Sequence, residues 1–156
     1  ALVPADNFEL GIAGVYDRIA ADNTVRDTPY SIGETIGSGY AVYSTDKLMA
    51  LVEAHVVVHS VPGQRFVNAD SFALLAYHLM PTWTPYFRTE FGKAAKQADP
   101  LFSPRGQVRS SFIESLVGVR YDLSDWSAVK LEYRYRRDRS LDPNTHMVAI
   151  NWSFGL

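Results

Sequence analysis

The sequence predicts an all-β fold, an antiparallel up-and-down transmembrane β-barrel with about eight strands in this chain. Apolar and polar residues alternate along most of the chain, no segment has the period of an amphipathic helix, and turn residues separate the alternating segments. Each segment has roughly the nine to eleven residues that a tilted membrane strand needs. The predicted strands lie near residues 8–17, 34–43, 48–59, 71–79, 84–92, 111–122, 127–136 and 147–156.

The connections between the predicted strands alternate in length. Short ones (STDK, MPTW and LSDW) follow the second, fourth and sixth strands, and longer polar ones follow the first, third, fifth and seventh. Pro62 with Gly63, and Asp142 before Pro143, are residues typical of turns. This alternation predicts a meander with tight turns at one end and larger loops at the other.

Composition and charge exclude several classes of function. A chain of 156 residues is one domain by length, so residues 1–156 are assigned to a single barrel domain or to the C-terminal part of a larger barrel. The 15 Lys and Arg are spread among 17 Asp and Glu, which leaves no basic patch for nucleic acid. Without cysteine there is no disulfide framework and no thiol nucleophile. No apolar run reaches the roughly 18 residues of a membrane helix.

The segment SAVKLEYRYRRD raises the question of which row of side chains faces water. It alternates an apolar row with a charged one, and the last strand alternates a bulky apolar row with a small, nearly uncharged one. A soluble surface strand would usually carry Lys, Glu or Thr on its wet row. We therefore expect lipid against Val129, Leu131, Tyr133, Tyr135, Val148, Ile150 and Trp152. The alternative is a soluble barrel that binds an apolar ligand inside.

Aromatic residues lie near the ends of the predicted strands. Those near the short turns are Tyr43, Trp83, Trp126 and Phe154, and those near the long loops are Tyr16, Phe91 and Tyr135. Two aromatic belts are typical of the two interfaces of a membrane. The positions therefore favour the membrane alternative.

The motifs SFALLAYHLMPTWTPYFRTEF, DPLF, VGVRYDLSDWSAVKLEYRYRRD and MVAINWSFGL follow one another in an order and spacing that resembles the C-terminal part of Gram-negative outer-membrane porin-like proteins. The similarity covers roughly residues 66–156. The chain departs from the family at its terminus, which is Phe154, Gly155, Leu156 where the family usually ends on Phe. The resemblance implies a bacterial outer-membrane location, passive passage of small hydrophilic solutes or ions, and lipid and lipopolysaccharide as partners.

The interior of the predicted barrel has two interpretations. Eight strands enclose a space that side chains just fill, so the chain is either completed by further strands or a homo-oligomer, or it is a closed structural barrel without conductance. In a pore the inner charges would be hydrated, and basic residues with fewer acids beside them would favour anions; in a filled barrel they must be paired. The predicted inner row is Glu53, His55, Arg88, Glu90, Glu114, Arg120, Lys130, Glu132, Arg134 and Arg136.

Candidate catalytic and metal sites are weak. Ser60 and His59 would suit an outer-membrane acyl-chain enzyme, but they are the whole basis of that hypothesis. His55 and His59 are four residues apart, about 13 Å in a strand, which is too far for one metal ion. We expect no catalytic residue, cofactor or metal. The long loop at residues 92–110 is either a solvated surface loop with a basic bias or a loop folded into the lumen.

Overall fold

The computed structural model describes residues 2–21, 30–102, 110–139 and 144–155, and the regular structure in these ranges is β-strand throughout. Each strand pairs antiparallel with its neighbour in sequence, so that one meandering sheet results. No helix in the described ranges is long and apolar enough to cross a membrane. The strands are β1 (Leu2–Ala5), β2 (Phe8–Ile19), β3 (Ile32–Ser44), β4 (Leu48–Val61), β5 (Gln64–Tyr77), β6 (Trp83–Lys93), β7 (Phe112–Ser124), β8 (Ser127–Asp138) and β9 (Thr145–Phe154).

The predicted all-β meander is confirmed. The eight long strands β2 to β9 correspond one to one with the eight predicted segments, and each has 10 to 14 residues. Strand β1 was not predicted, because four residues before the turn at Asp6 and Asn7 are too few to show a period. The connections 45–47, 78–82 and 125–126 lie at one end of the sheet, here called the turn end. At the opposite end, here called the loop end, β4 and β5 meet at residues 62–63, the strands β2, β6 and β8 end, and the strands β3, β7 and β9 begin.

The connection between β4 and β5 is not the long polar loop that the sequence pattern predicts. Both strands extend further than expected and meet at a two-residue turn of Pro62 and Gly63. Gly63 has a φ of 76°, in the left-handed region that glycine occupies without strain. The polar residues that suggested a loop, such as Asn68 and Asp70, belong to one row of β5, so their polarity comes from strand alternation.

The sheet is open in the described ranges, so the expected closure into a barrel within this chain is not found. Strand β9 pairs with β8 alone. The short strand β1 pairs only with the first residues of β2, with Leu2 opposite Leu10 and Ala5 opposite Phe8. Closure would require β9 to bond to the outer edge of β2, and β1 lies against part of that edge. Both edges therefore present unpaired backbone N–H and C=O groups.

The register divides the side chains of the sheet into two faces of different chemistry. One apolar row crosses all eight long strands as Phe8, Tyr43, Ala50, Leu75, Phe87, Val117, Tyr133 and Val148, and its face is here called the apolar face. The other, the polar face, is the more covered of the two, since it holds the buried Ile32, Phe66, Ala76, Leu116 and Ala128. On the apolar face Ile12 is 93% exposed and Ile150 is 75% exposed. The more covered side of the sheet is therefore the one that carries every acidic residue of the long strands.

Candidate functional site

All ten residues predicted for the inner row lie on the polar face. Four of them share one row across the sheet, in the order Glu53, Phe72, Glu90, Glu114 and Arg136. The seven residues predicted to contact lipid lie on the opposite, apolar face. The structure thus separates the two predicted sets, while a lumen on one side and lipid on the other remain predictions.

Ion pairs along β6, β7 and β8 join residues two positions apart on the polar face. Arg88 pairs with Glu90, and Arg120 Nη2 lies 2.7 Å from Asp122 Oδ1. Arg134 Nη2 lies 2.6 Å from Glu132 Oε2. Such pairs arise because residues i and i+2 of a strand project from the same face.

Arg136 belongs to this series and has two acidic partners. Its Nε donates to Asp138 Oδ2 at 3.0 Å, and its Nη1 lies 3.8 Å from Glu114 Oε2 on the adjacent strand. Together with the pairs above, this leaves Lys130 as the one predicted basic residue without an ion pair to the described residues.

Three aromatic side chains on the polar face lie over glycines of the adjacent strand. Tyr86 in β6 is directly opposite Gly118 in β7, and its ring occupies the space that a Cβ at Gly118 would need, since such an atom would be 2.6 Å from the ring. The Tyr86 hydroxyl passes over the glycine and donates to Glu132 Oε1 in β8 at 2.6 Å. The glycine therefore permits a hydrogen bond between strands that are not neighbours.

The same arrangement recurs twice on this face. Tyr40 covers Gly11 and donates from its hydroxyl to Glu9 Oε1 at 2.5 Å. Phe112 covers Gly92, and the guanidinium of Arg136 stacks 3.9 Å above the Phe112 ring. The contact of an aromatic ring with a glycine on the adjacent strand fixes the register of the two strands. It also keeps the ring close to the surface of the sheet.

Every acidic residue of strands β2 to β9 is on the polar face. These ten carboxylates face five Lys and Arg on the same side, a formal excess of five negative charges. The condition under which the lining would favour anions, basic residues with fewer acids beside them, is therefore not met. The reason is that six acids outside the predicted inner row share this face, namely Glu9, Asp17, Glu34 and Asp70 in β2 to β5, and Asp122 and Asp138 in β7 and β8.

The excess is confined to one half of the sheet. On β6 to β9 the polar face has five acids and five Lys or Arg, whereas on β2 to β5 it has five acids and no Lys or Arg. The acids on β2 to β5 are Glu9, Asp17, Glu34, Glu53 and Asp70. The polar face thus has a paired half and an acidic half.

A buried histidine in the acidic half bridges two carboxylates. His59 is 0% exposed, and its Nδ1 lies 2.7 and 2.8 Å from the two oxygens of Asp99, which is itself 2% exposed. The opposite ring nitrogen, Nε2, lies 2.8 Å from Glu34 Oε2. A neutral imidazole has one N–H, so hydrogen bonds to both carboxylates require a second proton, on the ring or on a carboxyl group.

This cluster holds the long loop against the polar face. Asp99 also accepts hydrogen bonds from Asn68 Nδ2 at 2.7 Å and from the backbone N–H of Leu101 at 2.9 Å. The Ala95 N–H donates to Asn68 Oδ1 at 3.0 Å. The described part of the loop therefore folds back over β4 and β5 rather than extending as a solvated surface loop.

The cluster was not among the predicted sites, and the geometry suits anchoring rather than catalysis. Both ring nitrogens of His59 contact carboxylates, and Ser60 lies on the apolar face, so the two residues of the enzyme hypothesis point to opposite sides. In the described ranges no group of three or more His, Asp or Glu is arranged to hold a metal ion. The alternation of the sequence indicates that Glu34 and His59 share the polar face. The register of β3 and β4 then places them directly opposite each other.

Comparisons with models of known families, with curated proteins and with solved structures find no match to this chain. The functional conclusion below therefore rests on the geometry of the sheet and on the motif resemblance described above.

Proposed function

We propose that this chain forms part of a porin-like β-barrel of the bacterial outer membrane, through which small hydrophilic solutes or ions pass. The observation that carries the proposal is that the acidic side chains and the large exposed apolar side chains lie on opposite faces of the sheet. All ten strand acids lie on the polar face, while the apolar face exposes large side chains such as Val148, which is 69% exposed. This is the pattern of a wall with lipid on one side and water on the other.

The size of the apolar face supports lipid as its cover. Monomeric soluble proteins rarely expose an apolar patch larger than a few hundred Å², and this face extends across eight strands. Strands of 10 to 14 residues are about 33 to 46 Å long at about 3.3 Å per residue, and with a tilt of about 40° they cover the apolar band of about 25 Å. The exposure of this face disfavours the soluble barrel with an apolar interior.

The two open edges favour a larger barrel over a closed eight-stranded one. A pore that conducts solutes needs more strands than eight, and unpaired edges are where further strands or a second copy would add. Under this proposal the polar face lines the lumen, and the long loop that is docked on His59 lies within it.

A second candidate is a structural outer-membrane barrel without conductance. The observation in its favour is that four of the five basic residues on the polar face already pair with acids, as a filled interior requires. Planar-bilayer recordings of the full-length protein separate the two candidates. Stepwise conductance supports the pore, and stable insertion without conductance supports the structural barrel.

Adjacent substitutions on β9 test whether lipid covers the apolar face. We expect Ile150→Arg to destabilise the protein folded in lipid vesicles by about 2 to 4 kcal/mol, because the charge would enter hydrocarbon. Ala149→Arg is the matched control, since Ala149 lies on the polar face opposite Glu132. Urea titration of both variants gives the comparison. Equal stability of the two would contradict the membrane proposal, because Ile150 is already exposed and a charge there is tolerated in water.

A further inference from the structure

Asp99 anchors residues 94–102, here called the docked segment, and hydrogen-bond donors surround its carboxyl group. Its Oδ1 accepts from the backbone N–H groups of Leu101 and Phe102 at 2.9 and 3.3 Å, and its Oδ2 accepts from Asn68 Nδ2 at 2.7 Å. These donors favour the ionised form, which only accepts hydrogen bonds. His59 Nδ1, 2.7 Å from Oδ2, therefore donates its proton to Asp99.

The other ring nitrogen of His59 faces the carboxyl group of Glu34, with 2.8 Å between Nε2 and Oε2. Because a neutral imidazole has one N–H and that N–H is used at Asp99, the bond to Glu34 needs a further proton, at Nε2 or on the carboxyl group. Either form holds one proton more than a neutral ring between two carboxylates. The docked arrangement therefore binds one additional proton.

The sheet surrounds the ring with acidic or neutral side chains. Asp17 in β2 is directly opposite Glu34, so a further carboxylate lies on the same row of the polar face. Strand β5 places the neutral Phe66 opposite His59. On β4 itself the next titratable residue of the polar face is His55, which pairs with an acid of its own strand. Negative charge beside the ring favours uptake of a proton.

The docked segment covers the ring from the side away from the sheet and brings no cation to it. The Phe102 ring packs edge-on against His59, with 4.9 Å between the ring centroids. The segment has one basic residue, Lys96, and its side chain is exposed. In the described ranges no Lys or Arg forms an ion pair with Glu34 or Asp99. The additional proton is therefore the positive charge that offsets the two carboxylates.

We propose that docking of the segment on the polar face is linked to proton uptake by the His59 cluster, so that the segment is held at low pH and released as the pH rises. Loss of the additional proton leaves one carboxylate facing a nitrogen lone pair at hydrogen-bond distance. A histidine in water is mostly neutral above about pH 6.5, so the released form holds fewer protons there than the docked form. For one proton, the docking equilibrium constant falls by up to about ten-fold for each pH unit.

Release has a consequence for the surface of the sheet, because it uncovers Glu34 and His59. The acidic half of the polar face then has a larger exposed area. These contacts do not depend on whether the sheet lines a pore, so the linkage is separate from the proposed function.

The test measures the mobility of a nitroxide spin label in the folded full-length protein at pH 6 and pH 9. The sequence has no cysteine, so Gln97→Cys gives a single labelling site at an exposed position of the docked segment. The ratio of immobile to mobile label should fall at least ten-fold between the two pH values. A label at Asp46→Cys, in the turn 45–47, is the control site and should not respond.

Glu34→Gln removes the need for the additional proton and keeps the hydrogen bond. Its side-chain amide can donate to Nε2 while Nδ1–H donates to Asp99, so a neutral His59 ring satisfies both neighbours. We expect the segment of this variant to stay docked at both pH values, with less than a two-fold change in the ratio. His55→Gln removes the other histidine of β4 on the polar face, and it should keep the wild-type response.

The outcomes separate the linkage from simple anchoring. A ratio that does not change with pH in the wild type overturns the proposal, and so does a full response in Glu34→Gln or a lost response in His55→Gln. Release of the segment at both pH values in Glu34→Gln also overturns it, since the amide should replace the proton. If Glu34→Gln does not fold, the wild type decides: a fall of at least ten-fold with the His55→Gln response intact supports the proposal, and a smaller fall overturns it. Conductance is not measured, so the result is distinct from that of the pore proposal.

Discussion

The Tyr86 hydroxyl donates a 2.6 Å hydrogen bond to Glu132 Oε1, and it reaches this carboxylate by crossing Gly118 on the strand between them. Glu132 is 8% exposed and also accepts from Arg134 Nη2 at 2.6 Å and from Asn151 Nδ2 at 3.3 Å. The carboxylate thus joins strands β6, β8 and β9 on the polar face. The hydrogen bond to Glu132 requires the Tyr86 ring to lie over residue 118, where a Cβ would be 2.6 Å from the ring.

Tyr86→Phe should destabilise the protein by about 1.5 to 3 kcal/mol, because it removes one hydrogen bond to a buried carboxylate and leaves the ring in place. Urea unfolding from lipid vesicles measures the change. Tyr121→Phe is the control, since Tyr121 lies on the apolar face and its hydroxyl has no hydrogen bond to the described residues. A loss as large for Tyr121→Phe as for Tyr86→Phe would show that the hydrogen bond to Glu132 is not the cause.

Gly118→Ala should cost about 1 to 3 kcal/mol, because the added methyl group would lie 2.6 Å from the Tyr86 ring and the ring would have to move off Glu132. Gly37→Ala is matched to it, since a Cβ at Gly37 has no atom within 4 Å. We expect that variant to be neutral or slightly stabilising, as alanine has less backbone freedom to lose than glycine. The same unfolding measurement compares the two, and similar losses would argue against the close approach of Tyr86.

Asp99→Asn should release the long loop from the polar face. The substitution removes the acceptor oxygen that His59 and Asn68 share, and breaking one partner of a buried pair costs about 3 to 5 kcal/mol. Limited trypsin digestion detects the release as faster cleavage after Lys96, at least ten-fold over wild type. Asp46→Asn in the turn 45–47 is the control. An unchanged cleavage rate in Asp99→Asn would mean that this cluster does not hold the loop.

The acidic half of the polar face predicts a preference for cations if that face lines a pore. Ten carboxylates against five Lys and Arg give the lining a negative potential, which concentrates cations. Reversal potentials across a planar bilayer in a salt gradient measure the preference, which Glu53→Gln with Asp70→Asn should reduce. The control, Asp46→Asn with Asp125→Asn, removes the same charge from turns outside the sheet. Anion preference in the wild type would exclude this assignment of the faces.

The strands and their two faces could be predicted from sequence because both follow from the period of two. Once Val129, Leu131 and Tyr133 are read as one row, Lys130 and Glu132 necessarily belong to the other, and no distant contact can change this. The ten predicted inner residues share the polar face for the same reason. Their ion pairs, such as Arg134 with Glu132, follow from a spacing of two residues.

The features that depend on contacts far apart in sequence were not predictable in this way. Asp99 and His59 are 40 residues apart, and neither residue type nor local period indicates that they meet. Pro62 and Gly63 predict the turn correctly, but the polar row at the start of β5 also fits a loop, and the long loop predicted there is wrong. Whether the sheet closes depends on which strand pairs with the outer edge of β2. The local period of the sequence does not indicate this, because the pairing joins segments far apart in the chain.

The pairing of β1 with β2 sets a parity condition on any barrel that contains this sheet. Nine strands that alternate in direction begin and end with strands that run the same way, so β1 and β9 would meet in parallel if they were joined directly. Two copies related by a twofold axis along the barrel would leave two such parallel junctions. A ring that is antiparallel at every junction therefore needs an odd number of further strands between β9 and β1, which makes the total even, as it is in bacterial single-chain barrels.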